Sequence, residues 1–382
     1  MRYAIVTETY PPEINGVALT VQRLELGLCA RGHHVEVIRP RQPADAEAGD
    51  GGGMQVRGAR LPFYAGLRFG MPATRRLLRH WKERVPDAIY VATEGPLGWS
   101  ALRAARRLGI PVATGFHTRF DHYMRDYAMA WLEPVALGWM RRFHNRAQAT
   151  LVPTRELADE LQRAGFLRVQ RLARAVDMRQ FAPACRSAGL RAQWGLGESD
   201  LAVIHLGRIA AEKNLPLAVR GFRALQRERP DARMVWIGDG PQRAALAREN
   251  PDFVFCGMQR GEDLARHVAS GDLFLFPSRS ETFGNVTLEA MASGVATVAF
   301  GYGAAREHLR DGVHGATVDG DDAFVKAARA LACDDARRRA MGVAAHAAVQ
   351  RLQPAQVAAE FDALLQRLAE ARRNDDAALA PA

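Results

Sequence analysis

The chain has 382 residues, 48% of them apolar and 25% charged. That is the composition of a globular protein, and the length exceeds what one hydrophobic core usually organises, so two domains are expected. No run of about 18 apolar residues offers a membrane span. The four cysteines, Cys29, Cys185, Cys256 and Cys333, stand singly, without a CxxC pair or a histidine cluster at zinc spacing, so neither a disulfide frame nor a metal site is expected. The net charge of +10 is lopsided: residues 1–190 hold 28 Lys and Arg against 17 Asp and Glu. An anionic partner for the first half alone follows, either a phospholipid surface or a nucleic acid.

Met1 leads directly into Arg2 and the strand-like Tyr3 to Thr7 without the features of a secretory signal, so a cytoplasmic location is expected. Val17 to Arg31 has helical periodicity, Gly32 supplies its stop, and Val35 to Ile38 is a second apolar run: a βαβ unit. Gln42 to Gly53 is rich in Gly, Ala and Asp and reads as a mobile loop. Between Arg57 and Arg84 there are eight Lys and Arg and one acid, with Leu77, Leu78 and Trp81 at helical spacing among the cations. That pattern suits an anionic membrane surface. It suits equally a solvated helix whose Leu and Trp face the core. No nucleic-acid module signature accompanies the charge, so no nucleic-acid partner is expected.

Short apolar runs recur at Ala88 to Ala92, Val112 to Thr114 and Thr150 to Pro153, separated by helical stretches such as Leu97 to Leu108. They imply a mostly parallel, doubly wound α/β sheet. A second set of such units begins at Leu201 to Leu206. It continues through Arg233 to Ile237, Phe253 to Phe255, Leu273 to Phe276 and Ala296 to Phe300. Val169 to Gly197 lacks a period and is expected to connect the two domains, 1–180 and 190–352. Beyond Arg373 the tail is small, polar and Ala-rich and is expected to fray. Two such sheets favour a ligand in the crevice between the carboxyl ends of their strands.

The most informative segment is Ser278 to Gly294, which follows the Leu273 to Phe276 strand and opens a helix near Asn285. The first helical turn offers unpaired N–H groups and Gly284 allows close backbone approach, so a phosphate or sugar oxygen can bind there. Glu281 precedes the helix and Glu289 lies inside it, eight positions on. As acceptors of hydroxyl hydrogen bonds the two can hold a transferred sugar and a ribose. The Leu201 to Leu206 strand ends in a loop that carries Arg208 and Lys213, cations able to stabilise a leaving diphosphate without a metal ion. Gly238-Asp239-Gly240-Pro241 adds a tight turn at the same edge. In the first half, Thr7 to Val17 joins strand to helix, and Gly16 permits close contact with a phosphate. This loop is not GxGxxG, which argues against a dinucleotide-binding dehydrogenase. His117, in Gly115-Phe116-His117-Thr118 after the third apolar run, is a candidate contact to a sugar or an acceptor, or else a hydrogen-bonded structural histidine.

Taken in order, ETYPPEINGVA, ATEGPLG, FHTRFDHY, HLGRIAAEKNL, IGDGP and ETFGNVTLEAMASG resemble the retaining GT-B glycosyltransferases with the Glu-x7-Glu motif. Their bacterial GDP-mannose-dependent α-mannosyltransferases are the most similar branch, over about residues 1–370. The resemblance implies two Rossmann-like domains with the substrate in an interdomain cleft, and a terminal helix within 353–372 that packs back on the first domain. It implies that Arg208 and Lys213 bind the diphosphate of a nucleotide-sugar donor, Glu289 its ribose, and Glu281 with the Phe283 to Asn285 backbone its sugar. Val286 belongs to the same donor-binding set, Gly238 and Met258 lie near the nucleotide, and Gly16 and His117 complete the active site. It further implies no cofactor or divalent metal, and a leaving phosphate that accepts the acceptor's proton. The donor stays open between GDP-mannose and UDP-sugars such as UDP-glucose or UDP-sulfoquinovose. A glycolipid acceptor at the inner face of the cytoplasmic membrane is expected ahead of a soluble sugar or a polysaccharide. From other classes, a nucleotide-sugar epimerase and a nonenzymatic sugar-binding protein remain as alternatives. One departure stands out: Ala175-Val176-Asp177 replaces the usual Gly-Val-Asp near the domain link, which puts the hinge geometry in question.

Overall fold

The computed structural model describes residues 1–13, 15–42, 53–60, 68–117, 133–279 and 281–378. The loop expected between Gln42 and Gly53, Thr118 with motif residues 119–123, Ser280, and the last four residues of the tail lie outside the described residues. The chain divides into two compact units, Met1–Arg174 with Pro354–Ala382, and Ala175–Gln353.

The first unit is built on a seven-stranded parallel sheet. Its strands are β1 (Arg2–Val6), β2 (His34–Pro40), β3 (Gln55–Val56), β6 (Ala88–Val91), β7 (Val112–Gly115), β8 (Ala149–Val152) and β9 (Val169–Arg171), in the order β3-β2-β1-β6-β7-β8-β9. The short strands β4 (Gly58–Arg60) and β5 (Arg68–Gly70) pair antiparallel beside it. The central strands β1, β6, β7 and β8 are buried on both faces, which is why they read as unbroken apolar runs rather than as alternations. The crossovers include helices α1 (Gly16–Ala30), α2 (Thr74–Glu83), α3 (Pro96–Arg107), α4 (Glu133–His144) and α5 (Arg155–Arg163). In α2, Leu77 and Trp81 are fully buried in a core shared with Ile38, Ile89, Leu97 and Phe143. Burying the two contributes roughly 2–3 kcal/mol each and leaves Arg75, Arg76, Arg79 and Lys82 of this helix exposed.

The last helix of the chain, α14 (Pro354–Ala378), belongs to this first unit. Phe361 packs edge-on against Tyr90. Asp362, buried, accepts from Tyr3 Oη at 3.0 Å and Arg31 Nε at 2.8 Å and lies 2.9 Å from His33 Nε2. The helix runs through the tail expected to fray, because nothing between Arg373 and Ala378 breaks it: no Gly or Pro occurs before residue 381.

The second unit has a six-stranded parallel sheet of β10 (Ala202–Leu206), β11 (Arg233–Ile237), β12 (Val254–Gly257), β13 (Leu273–Phe276), β14 (Ala296–Phe300) and β15 (Gly315–Val318). Their order is β12-β11-β10-β13-β14-β15. Its crossovers and flanks include α6 (Ala188–Gln193), α7 (Leu215–Gln226), α8 (Arg243–Glu249), α9 (Gly261–Ala269), α10 (Asn285–Ala292), α11 (Ala304–His308), α12 (Asp321–Cys333) and α13 (Asp335–Val349). Two apolar layers cover the sheet. Ala202, Ile204 and Leu206 face one and Leu201 and Val203 the other, the period of two that a doubly wound sheet requires. Both units are thus Rossmann-like. At the link, only Arg168 and Asn214 among the described non-glycine residues have a left-handed backbone. Ala175, where the resemblance led to an expected Gly, therefore sits without strain.

Candidate active site

In each unit the chain winds outward from one strand and then returns to its other side. A ligand is favoured at the carboxyl ends of the two strands that flank such a reversal. In the second unit these are β10 and β13. The loop after β10 carries Arg208, about half exposed and 3.6 Å from Glu212, and a single 3-10 turn, Ala211–Lys213, that ends in Lys213. The loop after β13 carries Glu281, whose Oε1 accepts from Lys213 Nζ and, at 3.0 Å, from Ser278 Oγ. Asn214, left-handed at φ 53°, begins α7 and reaches back to the Pro277 carbonyl at 3.4 Å. The two loops named by the sequence motifs are thus tied together.

Gly284 starts α10 at φ 84° with no side-chain cap, so first-turn N–H groups are available to a ligand, with the positive end of the helix behind them. The approach is crowded on the protein side. Phe283 is buried, its carbonyl accepts from Ala304 N at 2.6 Å, and a Cβ on Gly303 would stand 2.5 Å from that same oxygen. Asn285, Val286 and Glu289 are half-buried on α10. Gly238 is packed so that a Cβ would stand 2.0 Å from the Gly207 carbonyl, and its N–H donates to Gly257 O at 2.9 Å. This brings the loops after β10, β11 and β12 side by side, with Met258 exposed just beyond. The structure therefore collects Arg208, Lys213, Gly238, Met258, Glu281, Phe283, Gly284, Asn285, Val286 and Glu289 at one sheet edge. His205, on β10, carries no motif of its own. It is buried, its Nδ1 lies 3.1 Å from Leu275 O, and Nε2 has no hydrogen-bond partner. Burial lowers its pKa to about 4, with Lys213 pushing the same way. The visible sign was a polar residue inside a buried strand.

In the first unit the reversal lies between β1 and β6. Asn15 caps α1, its Oδ1 accepting from Val17 N at 3.1 Å and Ala18 N at 2.8 Å. The amides after Gly16 are consequently held by the protein, and an anion at Gly16 would compete with Asn15. Glu8 is buried where its carboxylate accepts from the Gly70 and Leu97 amides, bridging β5 to the start of α3. Burial pushes its pKa up to about 7 against those hydrogen bonds, which pull it down. Next to it Glu94, also buried, lies 3.2 Å from Nε2 of the fully buried His144, whose Nδ1 reaches Thr114 Oγ1 at 2.9 Å. His117 follows β7 and is buried. Both ring nitrogens are engaged, Nε2 at 2.7 Å from Tyr90 Oη and Nδ1 accepting from Arg174. Burial, then the Arg174 and His144 charges, hold its pKa well below the usual histidine range. Neither Tyr90 nor Arg174 was singled out by the sequence, since each sits amid residues whose pattern is otherwise that of a strand or a link. Among the described residues, no group of three or more His, Cys, Asp or Glu is placed to hold a metal ion.

The basic stretch forms a groove of about 450 Å³ lined by Arg75, Leu78, Arg79, Lys82, Arg107 and Leu108. Leu77 and Trp81 point into the core, so of the three apolar residues expected among the cations only the half-buried Leu78 lines this groove. Among the described residues, no helix is long and apolar enough to cross a membrane.

Residues 14–180 match the family model described as Glycosyltransferase Family 4, and residues 200–334 the one described as Glycosyl transferases group 1. The chain is 35% identical to a GDP-mannose-dependent alpha-mannosyltransferase of Corynebacterium glutamicum, over 90% of this chain and 84% of that protein. It is 30% identical to a GDP-mannose-dependent alpha-(1-6)-phosphatidylinositol dimannoside mannosyltransferase of Mycobacterium tuberculosis, over 78% of this chain and 79% of that one. Sucrose-phosphate synthase of Thermosynechococcus elongatus superposes with a TM-score of 0.80 at 19% identity, covering 97% of this chain and 99% of the other, which is a likeness of fold.

Proposed function

Because the chain belongs to the GT-B glycosyltransferases of the family 4 and group 1 type, we propose that it moves mannose from GDP-mannose to a hydroxyl of a membrane glycolipid, with retention at the anomeric carbon. One observation carries the donor half of this reading: the β10 and β13 loops bring Lys213 and Glu281 into contact, and the uncapped amino end of α10 follows four residues after Glu281. A diphosphate presents the charge that this arrangement complements. Arg208 and Lys213 bind it, Glu289 accepts from the ribose hydroxyls, and Glu281 with the Phe283 to Asn285 backbone orients the sugar. Val286, Gly238 and Met258 line the nucleotide. Gly16 and His117 are assigned parts in placing sugar and acceptor.

In the proposed chemistry the acceptor oxygen bonds to the anomeric carbon as the bond from that carbon to the phosphate oxygen breaks. The departing phosphate takes the acceptor's proton. Glu281, already engaged by Lys213 and Ser278, is an orienting group rather than a nucleophile. The cations and the α10 amino end stabilise the leaving diphosphate without a divalent ion. The mannose and lipid assignments draw on the relatives' names.

The test is an assay of the purified protein with GDP-mannose, UDP-glucose and UDP-glucuronate, each with EDTA, against a lipid extract and a soluble oligosaccharide. An α-linked mannolipid formed from GDP-mannose despite chelation is the expected result. Transfer from a UDP-sugar only, a β-linked product, loss of activity on chelation, or transfer to the oligosaccharide alone each overturns the corresponding part.

A further inference from the structure

Arg174 closes the first stretch of the first unit, and its contact with His117 has a chemical consequence. A guanidinium offers only N–H groups. Nδ1 of His117 must therefore present its lone pair to Arg174, and in the neutral ring the proton sits on Nε2, 2.7 Å from Tyr90 Oη. Donation runs in one direction, Arg174 to His117 to Tyr90, and the phenol keeps its own proton for a further acceptor. The other groups facing the ring act in the same sense. His144 from α4 disfavours a second positive charge, and that histidine is in turn engaged by Glu94. Among the described residues no ion pair joins Arg174 to a carboxylate, and burial lowers its pKa to about 10. A guanidinium so placed, with no such ion pair among the described residues, is costly to a fold and points to a role beyond packing.

We propose that Arg174 is a positioning residue of the transferase: it holds His117 neutral, protonated on Nε2 and in one ring orientation at the end of β7, giving His117 and Tyr90 a fixed hydrogen-bond polarity. The inference rests on the reading of His117 as a participant in transfer, and it adds a residue that no motif contains. Arginine at the start of an interdomain link would otherwise be taken for a surface charge.

Proton–nitrogen correlation spectra of protein labelled with 15N in the histidine rings test the tautomer directly, with His117→Gln used to assign the ring. From pH 5 to 8 the wild-type ring is expected to show protonated Nε2 and unprotonated Nδ1. In Arg174→Met it is expected to titrate or to exchange tautomers, and Arg174→Lys is expected to restore the wild-type pattern. For kcat/KM, Arg174→Met should lose on the order of 10- to 100-fold, as partners that orient a functional histidine commonly do. Adding His117→Gln to Arg174→Met should cost less than threefold more. A wild-type ring protonated on Nδ1 overturns the proposal without any variant. So does an Arg174→Met ring that stays neutral with Nε2 protonated, or a double variant whose losses multiply. A wild-type protein that transfers no sugar from any donor overturns the functional reading instead, and the spectra still decide the tautomer.

Discussion

Charge that gathers on a diphosphate as its bond to the sugar breaks has to be met by groups already in place, and on the proposed reading Lys213, held by Glu281 beside the loop that leads into α10, is one. If Lys213 and Glu289 meet the donor as proposed, replacing either by Ala removes about 2–4 kcal/mol of transition-state stabilisation. That appears as a fall in kcat/KM of roughly 30- to 1000-fold, read from initial rates, and near-normal kinetics would dismiss the assignment. Glu8 carries a different residue-level consequence. Its pKa is raised to about 7 in the folded chain by burial, above the ordinary carboxyl value, so the folded state holds a proton that the unfolded state releases. The associated stability is fully present below the ordinary value and is lost as pH rises through about 7, a change of up to about 3 kcal/mol. Protection of the Gly70 and Leu97 amides against hydrogen exchange is expected to decline from pH 5 to 8, and Glu8→Gln is expected to flatten that decline. Most residues gathered at the β10–β13 edge were legible because loops after parallel strands announce themselves by glycine, charge and position. Arg174, Tyr90 and His205 were not, because the contacts that matter to each join residues far apart in the chain.

Among the elements, α14 is held both by apolar packing such as Phe361 on Tyr90 and by one buried carboxylate, Asp362. Burial opposes ionisation of Asp362, but the bonds from Arg31, His33 and Tyr3 outweigh it and hold its pKa below the usual range. Its stabilisation is therefore present at neutral pH and disappears as acid protonates it. Asp362→Asn, which cannot accept all three partners as an anion does, is expected to cost about 2 kcal/mol. A lower urea midpoint with faster exchange along α14 would show it, and an unchanged midpoint would refute it. The long parallel strands of both sheets were readable as apolar runs, and Arg233–Ile237, Leu273–Phe276 and Ala296–Phe300 carry the expected bounds. The pair β4 and β5 and the edge strands β9 and β15 were not anticipated. They are only three or four residues long and mix polar with apolar side chains, too short for a period to emerge. Strand β9 lies inside the stretch read as a link. The buried face of α2 shows the limit of charge as a guide. Its Leu77 and Trp81 could equally have faced lipid or core, and only the packing around them decides.

For the whole molecule, the excess of cations in the first 190 residues and the basic groove beside α2 suit attraction to anionic lipid, at about 1 kcal/mol for each Lys or Arg near such a surface. Without buried apolar anchors this attraction should be weak and screened by salt. Cosedimentation with phosphatidylglycerol vesicles is expected at 50 mM salt, to fade by 300 mM, and to drop further in the Arg75, Arg79 and Lys82→Ala triple variant. Binding that ignores salt would contradict an electrostatic contact. The division of the chain has one more effect, on biosynthesis. The second unit is a continuous insert, whereas the first draws its closing helix from residues made after that insert is complete. During translation the nascent second unit can pack while the earlier-made sheet still waits, with Tyr3 and Arg31 lacking their carboxylate partner. A ribosome that stalls late thus leaves behind a polypeptide with one finished half and one exposed to proteases.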